Sequence, residues 1–318
     1  MLPLPPTVGI TMGDPAGIGP EVIAKALKSQ QLGSICRPIV IGSCAVFQQV
    51  GGSHLPVLDV VKVDRRRIRP GRISAWSGRA AAKALQLGLQ MALDGRLDAL
   101  VTGPVSKQGL HLAGLRDPGQ TEFLARGTMT KRFAMMLVAG SLRVVLATRH
   151  LPLTRVGSAL TRGRVKTAVS LAHSAMIDLF GIHRPRVGVC ALNPHAGEEG
   201  LFGRQENTII GPAIRELRDR GMTIRGPLPA DTLFSAIIRR QFDVIVAMYH
   251  DQGLIPVKMS GFGRAVNITL GLPIIRTSPD HGTAADIAGR GTANPESMIR
   301  AIRLATRLAR ARRKSSQQ

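Results

Sequence analysis

The chain alternates short, unbroken apolar runs with longer stretches in which apolar residues recur every third or fourth position. The first pattern predicts strands buried on both faces, and the second predicts amphipathic helices lying over them. "TVGITM" (7–12), "RPIVIG" (37–42) and "DALVTG" (98–103) are expected strands, each closed or followed by glycine. Before the third, "SGRAAAKALQLGLQMALDG" (77–95) sets Ala81, Ala84, Leu85, Gly88, Leu89, Ala92 and Leu93 at helical spacing, with Ser77 as the expected N-cap. "FAMMLVAGSLRVVLAT" (133–148) predicts a hairpin turning at Gly140-Ser141. Beyond it come a helix near 164–180, a strand at 186–193, a helix at 206–220, a short strand at 222–225 and a helix near 230–240. A strand at 244–248 and a basic amphipathic helix from Pro295 complete the series. This alternation predicts an α/β architecture with largely parallel sheets, in a chain of 318 residues that is long enough for two domains. The best division is a central domain inserted into an outer one.

Three of the strand-like runs end alike. "RVVLATRH" ends on His150, "VGVCALNPH" on His195 and "DVIVAMYH" on His250. Ligands of parallel α/β sheets bind beyond the carboxyl ends of strands, so the three imidazoles can converge on a divalent metal there. Their intervals match no short metal motif, so three independent loop histidines stay open beside a shared site. His54, His111, His173 and His183 lack this context and read as surface or packing residues. Lys258, Asn267 in "RAVNITLG" and Arg276 after the apolar "LPII" form a second set, suited to a phosphate or carboxylate.

Composition narrows the classes. Hydrophobic residues make up 44%, which marks a globular chain, and no apolar run approaches the roughly 20 residues that span a bilayer. "MLPLPPTVGI" lacks the features of a secretory signal, and Cys36, Cys44 and Cys190 are scattered, so a cytoplasmic location is expected. Forty-three basic residues against twenty acidic ones leave +23, concentrated in "RRRIRPGR" (65–72) and "RLATRLARARRKSSQQ" (303–318). Such runs can hold phosphates, but 3% aromatics leave almost no stacking platforms. Nucleic-acid binding is disfavoured as the main role, and anionic substrates account for the same excess.

"GDPAGIGPE" (13–21) follows the first strand and opens a helix with Pro20 near its start, but its glycines do not give a dinucleotide fingerprint. A second loop, "DHGTAADIAGRGTANPES" (280–297), permits close backbone approach to a ligand. With "VTGPVSK", "LNPHAGEEGLFG", "GPLPADTLF" and "YHDQGLIPVK", these blocks resemble the 4-hydroxythreonine-4-phosphate dehydrogenase family of vitamin B6 biosynthesis, in family order along nearly the whole chain.

The resemblance implies an isocitrate/isopropylmalate dehydrogenase-like fold, two α/β/α domains with a cleft between them. Residues 1–122 plus 277–318 would form the outer domain, and 123–276 the central domain with the metal and substrate ligands. It implies that His150, His195 and His250 bind a divalent cation (zinc, magnesium or cobalt) at a homodimer interface. Thr121, Lys258, Asn267 and Arg276 match positions that contact a phosphorylated substrate, with Gln120 beside them. The loop bearing His281, Gly282, Ala285, Asp286, Ile287 and Asn294 would hold NAD or NADP. Asp231 and Asp251 are candidates for proton transfer or for contact with a substrate amine, or else for orienting the imidazoles. The implied reaction oxidises and decarboxylates 4-phosphohydroxy-L-threonine to 3-amino-2-oxopropyl phosphate. D-Threonate or D-erythronate 4-phosphate is the alternative substrate, and a basic nucleic-acid-binding protein on a decayed enzyme fold is the third reading. Retention of Lys258, Asn267 and Arg276 argues against relatives that oxidise an unphosphorylated dihydrodiol. One position departs from the family: "GQTEF" carries Gln120 where histidine usually precedes the threonine, and glutamine cannot carry a proton or a positive charge.

Overall fold

The computed structural model describes residues 4–28, 30–62, 69–235 and 238–315. Residues 65–68 of the basic run and 316–318 of the basic tail therefore lie outside the described residues. Two compact units emerge, one from residues up to 131 together with 272–313, the other from residues 132–271. The divisions fall at 131/132 and 271/272, where 122/123 and 276/277 were expected. The helix Gln120–Gly127 stays in the first unit because Gly127 packs on Leu89, and the strand at Arg276 stays there because it pairs within that unit's sheet.

The first unit is built on β1 (Thr7–Thr11), β2 (Arg37–Gly42), β3 (Val57–Asp59), β4 (Ala99–Thr102) and β11 (Arg276–Pro279), in the order β3-β2-β1-β4-β11 and parallel throughout. β1 and β4 are buried along their full length, which is why they read as unbroken apolar runs. The helix Ala75–Leu93 lies against this sheet, and Gly88 leaves room for the side chains of Leu100, Thr11 and Ile41. Its N-cap is Ser74, not Ser77. The Ser74 hydroxyl accepts from the Ser77 amide at 3.1 Å while the Ser77 hydroxyl accepts from the Ser74 amide at 3.1 Å. This reciprocal box satisfies two amides, where a cap at Ser77 would satisfy one.

The second unit carries β5 (Ala134–Ala139), β6 (Leu142–Leu146), β7 (Arg186–Cys190), β8 (Thr223–Leu228), β9 (Val244–Ala247) and β10 (Val266–Leu270). Their order is β10-β5-β6-β9-β7-β8. β5 and β6 form the expected hairpin, turning at Gly140 with φ +60°, and β10 adds antiparallel to β5. From β6 onward all pairings are parallel. The helices Arg162–Asp178 and His250–Gly261 are among those that cover the sheet.

Two expected helices are shorter than their patterns. The 206–220 segment begins as a π turn, Glu206–Ile210, and is α-helical only over Gly211–Arg218. Pro212 has no N–H to return to the Thr208 carbonyl, which instead accepts from Arg162 Nε at 3.0 Å. The 230–240 segment is one turn, Ala230–Leu233, followed by a 3₁₀ turn at Ile238–Gln241. Leu233 is the buried residue of that turn, with Ala230, Phe234 and Ile238 packed against the same core. Conversely, the stretch after the β9 strand forms a twelve-residue helix, His250–Gly261, where the sequence pattern predicted none.

The three cysteines are free, and burial pushes the Cys190 thiol up. No helix among the described residues is long and apolar enough to cross a membrane.

Gly78 lies against the Gly109 carbonyl, where a Cβ would collide with backbone. Gly78→Ala should therefore lower stability by about 1–3 kcal/mol in urea unfolding, although alanine is the better helix former.

Candidate active site

β6, β9 and β7 are adjacent and parallel, so the segments beyond their carboxyl ends emerge at one edge of the second unit's sheet. Backbone pairing between β6 and β9 continues past the strands. Ala147 N donates to Ala247 O at 2.8 Å, and both the amide and hydroxyl of Thr148 donate to Met248 O, at 3.1 and 2.7 Å. This zipper delivers His150 and His250 side by side, with ring centroids 5.6 Å apart and planes tilted by 43°. Nδ1 of His250 lies 2.7 Å from Oδ1 of Asp251. A hydrogen bond donated by Nδ1 to this carboxylate orients the imidazole and selects the tautomer with its lone pair on Nε2. Asp231 is exposed in the first turn of Ala230–Leu233.

Gln252 ties these strand ends together. Its Oε1 accepts from Met248 N at 2.7 Å and its Nε2 donates to Ala191 O at 2.7 Å, joining the exits of β9 and β7. Beyond Ala191 the chain enters an unusual turn. His195, Ala196, Gly197, Glu198 and Glu199 all have left-handed backbones, with φ of 52, 56, 82, 39 and 56°. Four of them are not glycine, and each such residue costs roughly 1–2 kcal/mol. His195 is exposed on this turn, its ring 6.0 Å from that of Phe202. Among the described residues of one chain, no three His, Cys, Asp or Glu side chains group closely enough to hold a metal ion. The fold thus pairs His150 with His250, while His195 does not join them in a three-ligand group.

The anion-binding candidates divide between the units. In the second, Lys258 is exposed on the helix that begins at His250, seven residues beyond Asp251 and so on the same helical face. Asn267 is on β10, with Oδ1 buried and unpartnered among the described residues. In the first, Arg276 opens β11 and is 2% exposed. Its Nε and Nη2 donate to the Thr102 hydroxyl at 3.1 and 2.7 Å. Burial pulls its pKa down to about 10, against the opposing charge of Glu122, so it stays cationic at neutral pH. Gln120 opens its helix with Nε2 donating to Gly103 O at 2.9 Å, and Oε1 buried without a partner among the described residues. Since the Gly103 carbonyl can only accept, the free position must be the glutamine's own oxygen. Thr121, next to it, is buried.

The 280–297 loop docks on "GDPAGIGPE" within the first unit. Ile18 N donates to Thr283 O at 2.9 Å, and Ala293 N donates to Glu21 Oε1 at 2.8 Å. Lys25, paired with Glu21 at 2.8 Å, donates to the carbonyls of Gly291 and Ala293, each at 2.8 Å. His281 Nδ1 lies 3.0 Å from Gly282 O, and its Nε2 is buried and unpartnered among the described residues. Gly282 and Asp286 are exposed, Ala285 and Ile287 half-buried. Asn294 Oδ1 accepts from Glu296 N at 2.9 Å, capping the last helix. In that helix Arg300 pairs with Glu296, Arg310 donates to Ile35 O, and Arg313 binds Asp98. Part of the basic tail is therefore committed to the fold.

The sequence profile of the pyridoxal phosphate biosynthetic protein PdxA matches residues 20–305. The chain belongs to the PdxA family. It is 43% identical to a 4-hydroxythreonine-4-phosphate dehydrogenase of Desulforapulum autotrophicum, over 94% of each chain. It is also 43% identical to a D-threonate 4-phosphate dehydrogenase of Cupriavidus necator, over 96% of this chain and 97% of the other. The crystal structure of 4-hydroxythreonine-4-phosphate dehydrogenase from Klebsiella pneumoniae superposes with a TM-score of 0.88 at 39% identity, covering 97% of this chain and 99% of that one. The PdxA-type α/β fold is thereby shown for nearly the whole chain.

Residue patterns had pointed to the histidines but not to Gln252, Glu206 or the Glu21–Lys25 staple. Each of those satisfies backbone groups distant in sequence, which leaves no periodic trace. Gln252→Met should lower stability by roughly 2–4 kcal/mol in denaturant unfolding, because Met248 N–H and Ala191 C=O both lose a buried partner.

Proposed function

We propose that this PdxA-family oxidoreductase is an NAD(P)- and divalent-metal-dependent dehydrogenase. It would oxidise and decarboxylate 4-phosphohydroxy-L-threonine to 3-amino-2-oxopropyl phosphate in pyridoxal phosphate biosynthesis. The observation that carries this reading is the His150–His250 pair beyond the parallel strand ends, with Asp251 holding Nδ1 of His250. Imidazole nitrogens fit zinc or cobalt, and a second copy supplying His195 would complete a three-histidine set. When bound, the cation would supply Lewis acidity toward a substrate hydroxyl, and the nicotinamide would accept hydride.

The chain's own groups bind and orient. Arg276, cationic and buried, and Lys258 suit a phosphate or carboxylate. Asn267 Oδ1 and Gln120 Oε1 are acceptors that await donors, as a substrate hydroxyl or ammonium would provide. Asp251 orients His250, and exposed Asp231 is the remaining candidate for proton transfer. The loop at His281, Gly282, Ala285, Asp286, Ile287 and Asn294 is held rigidly enough by Glu21 and Lys25 to offer its backbone to NAD or NADP.

A homodimer is part of the proposal. Ile255 and Met259 form a stripe on the helix after His250, continued by Phe262 at its end, and Met259 and Phe262 are 84% and 82% exposed. Leu151 and Leu153 after His150, and Leu201 and Phe202 after His195, are exposed as well. Apolar surface of this kind around each histidine suits a self-complementary interface. A Met259→Asp, Phe262→Asp variant should sediment as a monomer and lose activity, while the parent protein sediments as a dimer.

Gln120 and the equal identity to the D-threonate 4-phosphate enzyme favour a second reading, with that acid phosphate as substrate. NADH formation with added cobalt or zinc decides between them. The first reading expects kcat/KM for 4-phosphohydroxy-L-threonine to exceed that for D-threonate 4-phosphate at least tenfold, with His250→Ala inactive and Gln120→His improving KM. The opposite preference establishes the second.

A further inference from the structure

The left-handed turn that bears His195 is held from behind by one buried carboxylate. Glu206 is 3% exposed. Its Oε1 accepts from the amides of both Leu192 and Asn193, each at 2.8 Å, and its Oε2 accepts from Asn193 Nδ2 at 2.8 Å. Asn193 Nδ2 also donates to Gln205 Oε1 at 2.8 Å, so the side chain preceding Pro194 is fixed on both sides. Gly197, within the turn, lies against the same carboxylate: a Cβ there would come within 2.7 Å of Oε2. Glu206 itself opens the π turn Glu206–Ile210, and the proline at 212 prevents that turn from relaxing into an ordinary helix. Three donors on one carboxylate at the entrance, and a glycine against it inside, specify the path of a segment whose own backbone preferences oppose it.

We infer that Glu206 is the positioning residue of the active site, setting through these bonds the direction in which His195 is presented. It touches no reacting atom. The inference rests on the proposed metal role of His195, and its tests separate the two. In Glu206→Gln the one oxygen can accept from the two backbone amides only with the new NH2 set against the NH2 of Asn193, so the charge-assisted bonds to Leu192 and Asn193 are weakened and displaced. Combining it with Asn193→Asp reverses donor and acceptor and restores the match to residue 206, with the Gln205 amide turned so that its NH2 faces the new carboxylate.

Amide hydrogen exchange reads the brace without any metal. Exchange at Leu192 and Asn193 should accelerate at least tenfold in E206Q and slow again in N193D/E206Q. Unchanged exchange in E206Q overturns the inference. With cobalt(II) as probe, E206Q should bind about 10–100-fold more weakly than the parent protein and lose kcat more than phosphorylated-substrate KM, with recovery in the double variant. Equal cobalt affinity in E206Q and parent overturns it too. If E206Q does not fold, the double variant carries the test: retained protection at Leu192 and Asn193 supports the brace, and rapid exchange there in a folded double variant refutes it. A parent protein that fails to bind cobalt yet shows the E206Q exchange change refutes the metal role alone.

Discussion

Parallel pairing of β6, β9 and β7 is the constraint from which the site follows. Because these strands are neighbours running the same way, the segments that leave them emerge at one edge. The pairing outlasts the strands on the β6–β9 side, through Ala147 and Thr148, and this brings His150 and His250 to 5.6 Å. On the β7 side direct pairing is replaced by Gln252, which reaches from Met248 to Ala191. The imidazoles are therefore carried by backbone geometry that the core stabilises, and their placement depends on few side chains outside it.

The buried polar groups follow a second rule. In a protein interior an unpartnered donor or acceptor is costly, so each one that persists calls for a partner or a compensating role. Asn267 Oδ1, Gln120 Oε1 and His281 Nε2 are buried and unpartnered among the described residues. Glu206 is the contrasting case: equally buried, it has its acceptor sites filled by Leu192 and Asn193. The first group is proposed to meet ligands, while Glu206 is structural support for a strained turn.

Much of the architecture was legible because β1, β4 and the β5–β6 hairpin are buried on both faces, so that a continuous apolar run is physically required there. The strand-end histidines were legible for the same reason, since each follows such a run. Other features were not. Ser77 looked like a cap because it precedes the apolar periodicity, but the reciprocal bond with Ser74 moves the helix start upstream. The helix at His250 was masked by Pro256 and by an apolar stripe facing solvent, both of which obscure the usual amphipathic signal. The π turn at Glu206 imitates a helix in its spacing and betrays itself only through Pro212. Gln252 and Glu206 bind backbone atoms 61 and 13–14 residues away, a relation that composition and period do not encode.

Anomalous diffraction from crystals grown with cobalt or zinc tests most directly the proposed cation among the strand-end imidazoles. The predicted result is a single strong peak at about 2.0–2.1 Å from nitrogens of His150 and His250 of one protomer and of a His195 completing the set. Ordered histidine rings with no anomalous density among them would contradict it.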